Sequence, residues 1–210
     1  MRFEDRFDAG RVLARALADE SWTDPLVLGL ARGGVPVAFE VASALGGELG
    51  VAVARKIGAP GHPEYGIGAV TAEGEPIFDD GALRMLGLTR ADLADKCEAE
   101  RREARRRLAL YRDGPARLEG RDVLVVDDGL ATGVTARAAL REARGQQPRR
   151  LVLAVPVGAA ASVRALGADA DLVVCPHPRS DFRAVGRFYE HFDQTTDDQV
   201  VALLRGQGAR

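Results

Sequence analysis

The sequence has few of the residues that build disulfide-linked or zinc-stapled folds. It holds two cysteines in 210 residues, Cys97 and Cys175, and they form no Cys-x-x-Cys pair. Two distant cysteines argue against a disulfide scaffold and a structural zinc site, and they are typical of a reducing compartment. We therefore expect a cytoplasmic protein.

Long apolar runs are also missing. No apolar segment approaches the roughly 20 residues that cross a bilayer, and the first segment, MRFEDRFDAGRVLARAL, is too charged for a signal peptide. The formal net charge of −2 gives no overall attraction to nucleic acid or to anionic membranes. The sequence predicts no membrane partner and argues against a nucleic-acid partner.

Lysine is scarce. Almost all of the 29 cationic residues are arginine, and the lysines are Lys56 and Lys96. We interpret Lys56, which directly follows Arg55, as a basic group chosen for local chemistry. The alternative for this pair is a solvated strand end. We interpret Lys96 as a helix-surface residue.

What the sequence does contain is an alternation of apolar strands and amphipathic helices. The strand segments are continuously apolar, which is typical of a parallel sheet covered on both faces. The sequence therefore predicts an α/β fold in one domain, with an open parallel sheet flanked by helices. Strands are predicted over 26–30, 49–54, 123–127, 151–155 and 172–175, and helices over 3–17, 35–45, 89–112, 134–144 and 159–166.

One segment is rich in glycine and proline, KIGAPGHPEYGIGA, over about residues 56–70. We expect a flexible loop there, followed by a small hairpin of residues 69–72 and 76–78. A mobile loop of this kind could cover a site and exclude water.

The stretch VLVVDDGLATGVTA, residues 123–136, contains the strongest functional signal. A strand runs into Asp127 and Asp128, and a small turn then leads into a helix. The backbone N–H groups at such a helix start form an anion site. The two carboxylates repel an anion but suit hydroxyl groups or a metal, so the stretch predicts a sugar-phosphate site.

Three other interpretations account for parts of this stretch. A Walker loop is excluded because the chain has no GxxxxGK[ST] pattern. A response-regulator receiver domain needs a later lysine, and none follows Lys96. A plain strand and turn with surface aspartates stays open.

Residues 123–136 resemble the phosphoribosyl-diphosphate motif of the type I phosphoribosyltransferases. The resemblance implies that Asp127 and Asp128 hold the ribose hydroxyls of 5-phosphoribosyl 1-diphosphate (PRPP). It also implies a 5-phosphate site in the turn. The turn residues are Ala131, Thr132, Gly133, Val134 and Thr135.

Other segments share the resemblance. GLARGGVPVA, residues 29–38, looks like the family's pyrophosphate loop, in which Arg32 and Gly33 would bind the diphosphate. Family members often have a cis peptide in this loop, so Ala31–Arg32 is a candidate. Arg55 and Lys56 resemble the basic pair that faces the diphosphate. The two ends of the chain resemble a bacterial branch of the family.

The resemblance implies displacement of diphosphate by a nitrogenous base, with Mg²⁺ as cofactor. Asp127 and Asp128 would hold the metal indirectly, through PRPP and water. Arg32, Arg55 and Lys56 would stabilise the leaving diphosphate.

The base would lie under a small hood formed by the chain after Cys175, together with the N-terminal helix. The candidates for stacking on it are Phe182, Phe188 and Tyr189. The alternative, preferred for at least two of the three, is that they pack the hood onto the core. The hypoxanthine–guanine enzymes carry an aspartate where this chain has Ala131, which argues against a 6-oxopurine and leaves the base open.

Two further hypotheses belong to other classes. A PRPP-sensing regulator could bind RNA or DNA through the arginine run of the long helix, for which a solvated helical face is the alternative. A sugar-phosphate isomerase or epimerase would leave the RGG loop unexplained. The long helix and the N-terminal helix are candidate surfaces for a homodimer.

Overall fold

A computed structural model describes residues 2–111 and 116–207. The helices are α1 Arg6–Leu17, α2 Gly34–Leu45, α3 Asp80–Leu86, α4 Ala94–Tyr111, α5 Val134–Gly145, α6 Ala160–Leu166 and α7 Asp197–Gln207. The strands are β1 Leu26–Leu30, β2 Glu48–Ala52, β3 Ala54–Ala59, β4 His62–Thr71, β5 Ile77–Phe78, β6 Asp122–Val126, β7 Arg150–Ala154, β8 Val157–Ala159, β9 Leu172–Val174 and β10 His177–Arg179. Within these described ranges, no helix is both long and apolar enough to cross a membrane.

Five parallel strands form the central sheet, in the order β2-β1-β6-β7-β9. This confirms the predicted α/β fold. Strands β1 and β6 are neighbours, and Gly29 lies opposite Val126. The loops that follow these two strands therefore leave the sheet side by side at its carboxyl edge, where open α/β sheets bind ligands.

Helices cover both faces of this sheet, which explains why its central strands β1 and β6 are apolar along nearly their whole length. The exception is the buried Asp122 at the start of β6. Leu28, Val125 and Leu153 point to the face covered by α5. Val27, Leu124 and Val152 point to the face covered by α1 and α2. Every residue of β1 and β6 is buried. The buried strands hold the two loops of the site on a rigid base.

The structure corrects the prediction for residues 53–71. The predicted loop forms an antiparallel pair of strands, β3 and β4, and β5 joins them in a separate three-stranded sheet. The glycines in this segment allow close packing between strands, whereas the sequence analysis took them as signs of a loop. A Cβ on Gly68 would lie 2.6 Å from the carbonyl oxygen of Ile77, so the tight strand packing requires glycine there. The mobility of this segment stays a prediction.

The same correction moves the predicted basic pair. Arg55 and Lys56 lie inside β3, whereas the sequence placed them beyond the end of the preceding strand. The long helix begins as a 3₁₀ turn at Ala91–Leu93 and continues as α4. Its predicted last residue, Arg112, lies outside the described residues. The sequence analysis missed α3 and the short strands β8 and β10.

The chain after Cys175 folds back over the carboxyl edge of the sheet. We call residues 176–193 the hood. The parallel strands β8 and β10 form its base, and Phe3 pairs with Tyr189 at its other side. Phe3 donates its N–H to the carbonyl oxygen of Phe188 at 2.7 Å and accepts from the N–H of Glu190 at 2.8 Å. The N-terminal segment is therefore part of the same layer as the hood.

Candidate functional site

The acid pair follows directly after β6. An oxygen of Asp127, Oδ1, accepts the backbone N–H of Asp128 at 2.8 Å. An oxygen of Asp128, Oδ2, accepts from Nε of Arg6 at 2.8 Å. The hydroxyl of Tyr189 donates to the carbonyl oxygen of Asp128 at 2.5 Å. Backbone and side chain of Asp128 are thus held by groups from both ends of the chain.

Burial dominates the electrostatics of this pair. Burial, together with repulsion from the Asp128 carboxylate, raises the pKa of Asp127 well above its ordinary value. Burial also raises the pKa of Asp128, and the guanidinium of Arg6 acts in the opposite direction. Two carboxylates share one arginine, so the site favours ligands that bring hydroxyl donors or positive charge.

The loop after β1 packs directly onto the acid pair. A Cβ on Gly33 would lie 2.2 Å from Oδ2 of Asp128, and a Cβ on Gly34 would lie 2.4 Å from the carbonyl oxygen of Val126. The contact at Gly34 is with backbone atoms, so that position requires glycine, whereas a side chain at Gly33 would have to displace the Asp128 carboxylate or the loop. The Ala31–Arg32 peptide is cis, the candidate that the family resemblance implied. The two motifs that the sequence singled out therefore meet in space.

The side chain of Arg32 points towards the C-terminal helix. Its Nη1 lies 3.5 Å from Oδ1 of Asp197, at the start of α7. The same Asp197 oxygen accepts from the hydroxyl of Tyr111 at 2.5 Å. Burial, with that hydrogen bond and the charge of Asp197, raises the pKa of Tyr111. An ion pair thus joins the predicted diphosphate arginine to α7, and the hydrogen bond from Tyr111 joins the same carboxylate to α4.

The predicted phosphate turn precedes α5. Gly133 has φ of 76° and stands at the helix start, where no described side chain caps the first N–H groups. The hydroxyl of Ser162 donates to the carbonyl oxygen of Ala131 at 2.5 Å and fixes one side of the turn. Ala131 and Thr132 are exposed, and Val134 and Thr135 are half-buried. The turn has the open, positive helix start that an anion requires.

The structure separates the predicted basic pair. Neighbouring residues in a strand point to opposite faces. Arg55 Nε donates to Oε2 of Glu100 at 2.9 Å, so Arg55 faces α4. Lys56 is exposed, and its stem lies over Gly66, where a Cβ would be 2.7 Å from Cδ of the lysine. The two cations do not share one face of the sheet.

The three hood aromatics differ in exposure. Tyr189 is 1% exposed, and its ring packs against Phe3 and Phe192 with centroid distances of 5.3 and 5.0 Å. The ring is therefore packed inside the protein, which agrees with the packing alternative expected for at least two of the three rings. Phe182 and Phe188 stack on each other at 5.4 Å and are partly buried. Base binding by these two rings stays a prediction.

The sequence predicts no contact of Arg6 with Asp128 and none of Asp197 with Arg32. Arg6 and Asp197 both lie on the polar faces of amphipathic helices, and no local pattern connects either residue with the motif that it contacts. The resemblance of the N-terminal segment to a bacterial branch was the one signal that could have found Arg6.

A cavity of about 450 Å³ lies beside Arg6. Its walls come from the start of α1, from Pro36 in α2, from residues 191–195 and from α7. This volume is in the range of small-ligand pockets. Arg6 forms a wall of the cavity and also contacts Asp128, whereas neither aspartate of the acid pair lines the cavity.

Metal binding would depend on the two aspartates. The part of the chain that the structure describes contains no group of three or more His, Cys, Asp or Glu residues placed to hold a metal ion. Asp127 and Asp128 supply carboxylate oxygens with excess negative charge, which fits Mg²⁺ that takes its other ligands from a bound phosphate and water.

Comparison with known proteins agrees with this geometry. A family model described as phosphoribosyl transferase domain matches residues 3–193. A Mycobacterium tuberculosis H37Rv protein with the provisional name phosphoribosyl transferase Rv0571c is 46% identical over 207 residues, covering 96% of this chain and 46% of that protein. The chain thus spans about half the length of the curated relatives that it matches.

Solved structures show the same likeness. The crystal structure of TT1426 from Thermus thermophilus has a TM-score of 0.81 and 46% identity, with 97% of this chain and 98% of that chain covered. The AQ2163 protein from Aquifex aeolicus shares the fold alone, with a TM-score of 0.50 and 11% identity over 95% of this chain and 82% of that one. Because the family match includes both the acid pair and the glycine loop that packs on it, the chain belongs to the phosphoribosyl transferase domain family.

Proposed function

We propose that the protein transfers the phosphoribosyl group of PRPP to a nitrogenous base, with Mg²⁺ as cofactor and diphosphate as the leaving product. The contact of Gly33 with Asp128 carries the proposal. This contact brings a loop suited to a diphosphate against a carboxylate pair suited to a sugar diol. A sugar that carries a diol on its ring and an anionic group at C1 presents these two groups close enough together to bind both parts of the site.

Each group has a defined task in this reaction. Asp127 and Asp128 accept hydrogen bonds from the ribose hydroxyls, and the N–H groups at the start of α5 bind the 5-phosphate. A ring nitrogen of the base forms a bond to C1 while the bond from C1 to the diphosphate oxygen breaks, and the nitrogen loses its proton. The nearby carboxylates stabilise the positive charge that develops on the sugar. Bound Mg²⁺ would supply Lewis-acid stabilisation of the leaving diphosphate.

The cations have separate parts in the proposal. Arg32 would bind the diphosphate by exchanging its contact with Asp197 for a phosphate oxygen. Lys56, exposed on β3, would reach the diphosphate when the β3–β4 hairpin moves towards the site. Arg55, which pairs with Glu100, would support the hairpin rather than the substrate.

The regulator hypothesis receives less support from the described residues. The arginine run on α4 is largely paired within the protein. Arg106 and Arg107 both donate to Glu103 at 2.8 Å, and Arg101 donates to the carbonyl oxygen of Gly74 at 2.9 Å. Such a paired face offers fewer free cations to a nucleic acid. Salt-dependent binding of RNA would restore this alternative.

The first test is diphosphate release from PRPP and Mg²⁺ with adenine, guanine, hypoxanthine, xanthine, uracil and orotate in parallel. Asp128→Asn is the blank, and Asp198→Asn, an exposed acid on α7, is the matched charge control. We expect release with one base, lost in Asp128→Asn and kept in Asp198→Asn. Binding of PRPP without release from any base would favour a sensor. Absence of PRPP binding would contradict the proposal.

Compartment and assembly belong to the same proposal. Cys97 and Cys175 are both free thiols, which supports a reducing cytoplasm.

We expect a homodimer in solution. Light scattering would give about twice the chain mass of 22.4 kDa, whereas a value near the chain mass would contradict the dimer.

A further inference from the structure

Arg6 connects three parts of the molecule at the acid pair. Its Nε donates to Oδ2 of Asp128 at 2.8 Å, and its Nη1 donates to the carbonyl oxygen of Asp193 at 2.6 Å. Its guanidinium carbon lies 4.0 Å from the ring centroid of Phe192. The side chains of Arg6 and Asp128 are 11% and 13% exposed. The guanidinium is therefore fixed in position and orientation by three different groups.

The contact leaves the two oxygens of Asp128 in different situations. Arg6 binds Oδ2, and the backbone of Gly33 packs against the same oxygen so closely that a Cβ would lie 2.2 Å away. Oδ2 is thus enclosed between the two residues. A sugar hydroxyl that binds this carboxylate would have to use Oδ1.

We propose that Arg6 is a positioning residue for ribose recognition, which holds Asp128 so that Oδ1 accepts a sugar hydroxyl. This inference rests on the proposed function, because it takes Asp128 as a ribose ligand. Fixing the carboxylate before the sugar arrives removes the conformational freedom that binding would otherwise have to restrict. Arg6 acts through Asp128 and does not touch the sugar.

The geometry distinguishes this role from two simpler ones. A phosphate-binding arginine would have to abandon Asp128, Asp193 and the Phe192 ring together. A purely structural arginine would stabilise the hood and affect all ligands alike. A positioning role predicts that only ligands with sugar hydroxyls respond to the loss of Arg6.

The test uses two probes, inorganic phosphate and ribose 5-phosphate, titrated calorimetrically against the full chain. Phosphate reports on the turn before α5, and ribose 5-phosphate reports on the turn and the acid pair together. We expect the Arg6→Gln variant to weaken ribose 5-phosphate about tenfold while phosphate affinity stays within about twofold. Arg11→Gln is the matched control, because Arg11 lies on the same helix and its side chain is 48% exposed.

A double-mutant cycle with Asp128→Asn checks the route of the effect. If Arg6 acts through Asp128, Arg6→Gln should change ribose 5-phosphate affinity little in the Asp128→Asn background. Equal weakening of both probes, or an undiminished effect in that background, would overturn the proposal. Unchanged ribose 5-phosphate affinity in Arg6→Gln would also overturn it.

The failure of the proposed function has a separate signature. Wild-type protein that binds ribose 5-phosphate no better than phosphate would contradict ribose recognition itself, and the role of Arg6 with it. Wild-type preference for ribose 5-phosphate with no response to Arg6→Gln would remove the role of Arg6 alone. Unchanged phosphate affinity in the variant also shows that the site is still folded.

Discussion

Asp127 lies where a negative charge is unfavourable for folding. Its carboxyl is buried beside Asp128, and it is Asp128 that forms the ion pair with Arg6. Strongly shifted acids in a cleft are typical of functional sites, where a ligand supplies the missing partners. This arrangement implies that the folded protein loses stability in order to hold the site ready.

The first prediction concerns Asp127→Asn. In the unfolded chain this carboxyl ionises near pH 3.8, whereas in the folded protein its pKa is raised. The group therefore destabilises the folded state progressively as pH rises above that value. We expect Asp127→Asn to raise Tm by about 2–4 °C at pH 8, with a smaller gain at pH 5, and to weaken ribose 5-phosphate binding. Calorimetric unfolding at both pH values measures this.

Asp198→Asn serves as the control for Asp127→Asn, because it removes the same charge from an exposed site. Its effect on Tm should be small at both pH values. A lower Tm for Asp127→Asn at pH 8 would show that Arg6 and the backbone already compensate the charge.

The second prediction concerns the close contact at Gly33. A methyl group on Gly33 would lie 2.2 Å from Oδ2 of Asp128, so Gly33→Ala must displace the carboxylate or the loop. We expect at least about a tenfold loss of ribose 5-phosphate affinity and a stability loss of about 1–3 kcal/mol. Titration and thermal unfolding measure the two effects.

Gly145→Ala is a matched control for that substitution. Gly145 ends α5, and a Cβ there meets nothing within 4 Å. The control should keep ligand affinity and gain up to about 1 kcal/mol of stability. Similar affinities for Gly33→Ala and wild type would contradict the close packing of the loop on Asp128.

At the residue scale, the sequence was most informative where function requires a local pattern. Asp127, Asp128 and Gly133 lie in one short motif, and the glycine loop precedes a helix start. The contact between Arg6 and Asp128 spans 122 residues of chain, and that between Arg32 and Asp197 depends on α7 packing. Contacts of this kind depend on tertiary structure, so no local spacing could reveal them.

At the scale of single elements, α4 shows how a charged run is satisfied without a ligand. Glu103 accepts from Arg106 and Arg107, one turn further along the helix. The hydrogen bond from Arg106 is the main cause that lowers the pKa of Glu103 to about 2. The face of the helix is internally paired, as expected for residues spaced three and four apart.

The third prediction follows from this pairing. Glu103 contributes stability that is fully present above its ordinary pKa of 4.5 and is lost as pH falls towards about 2. Because the side chain is near the surface, the contribution should be only about 0.5 kcal/mol. We expect Glu103→Gln to lower Tm by about 1–2 °C at pH 7 and by less at pH 3.

Glu98→Gln is the control on the same helix, because the pair of Glu98 with Arg101 is longer, at 3.7 Å, and half-exposed. It should change Tm less than Glu103→Gln. An equal change in both variants would mean that helix propensity, and not the ion pair, sets the effect.

Elements with strong apolar periodicity were predicted well. The predicted limits of strand β1 agree with the observed ones, the predicted end of α5 differs by one residue, and both predicted limits of β7 differ by one residue. The β3–β4 hairpin was predicted wrongly because glycine and proline are typical of loops, whereas here glycine allows strands to pack closely. Close packing between strands requires small residues, and this requirement outweighs the preference of glycine and proline for loops.

At the scale of the whole molecule, α7 is linked to the loop that we propose binds diphosphate. Asp197 of α7 pairs with Arg32 and also accepts from Tyr111 of α4. Three elements distant in sequence therefore meet at one carboxylate. Any anion that binds Arg32 must compete with Asp197.

The fourth prediction tests this competition. Asp197→Asn removes a negative charge beside Arg32 and frees the guanidinium for an anion, and both effects favour anion binding. We expect inorganic diphosphate to bind about three- to fivefold more tightly to the variant. Titration calorimetry measures the change, and exposed Asp198→Asn is the neighbouring control. Weaker binding would show that Asp197 instead holds Arg32 in its productive position.

Phe3 and Arg6 contact the hood, so these contacts can form only after the ribosome has synthesised the hood. Arg2 and Arg6 contact residues 187 positions later in the chain, at Tyr189 and Asp193. At about 5–20 residues per second, a ribosome needs roughly 10–40 s to extend the chain that far. Until then the early segment has no partner in the hood, although the strands of the central sheet can already pair. The site would therefore be completed later than the central sheet, and a nascent chain that stalls before the hood would carry a formed sheet without a finished site.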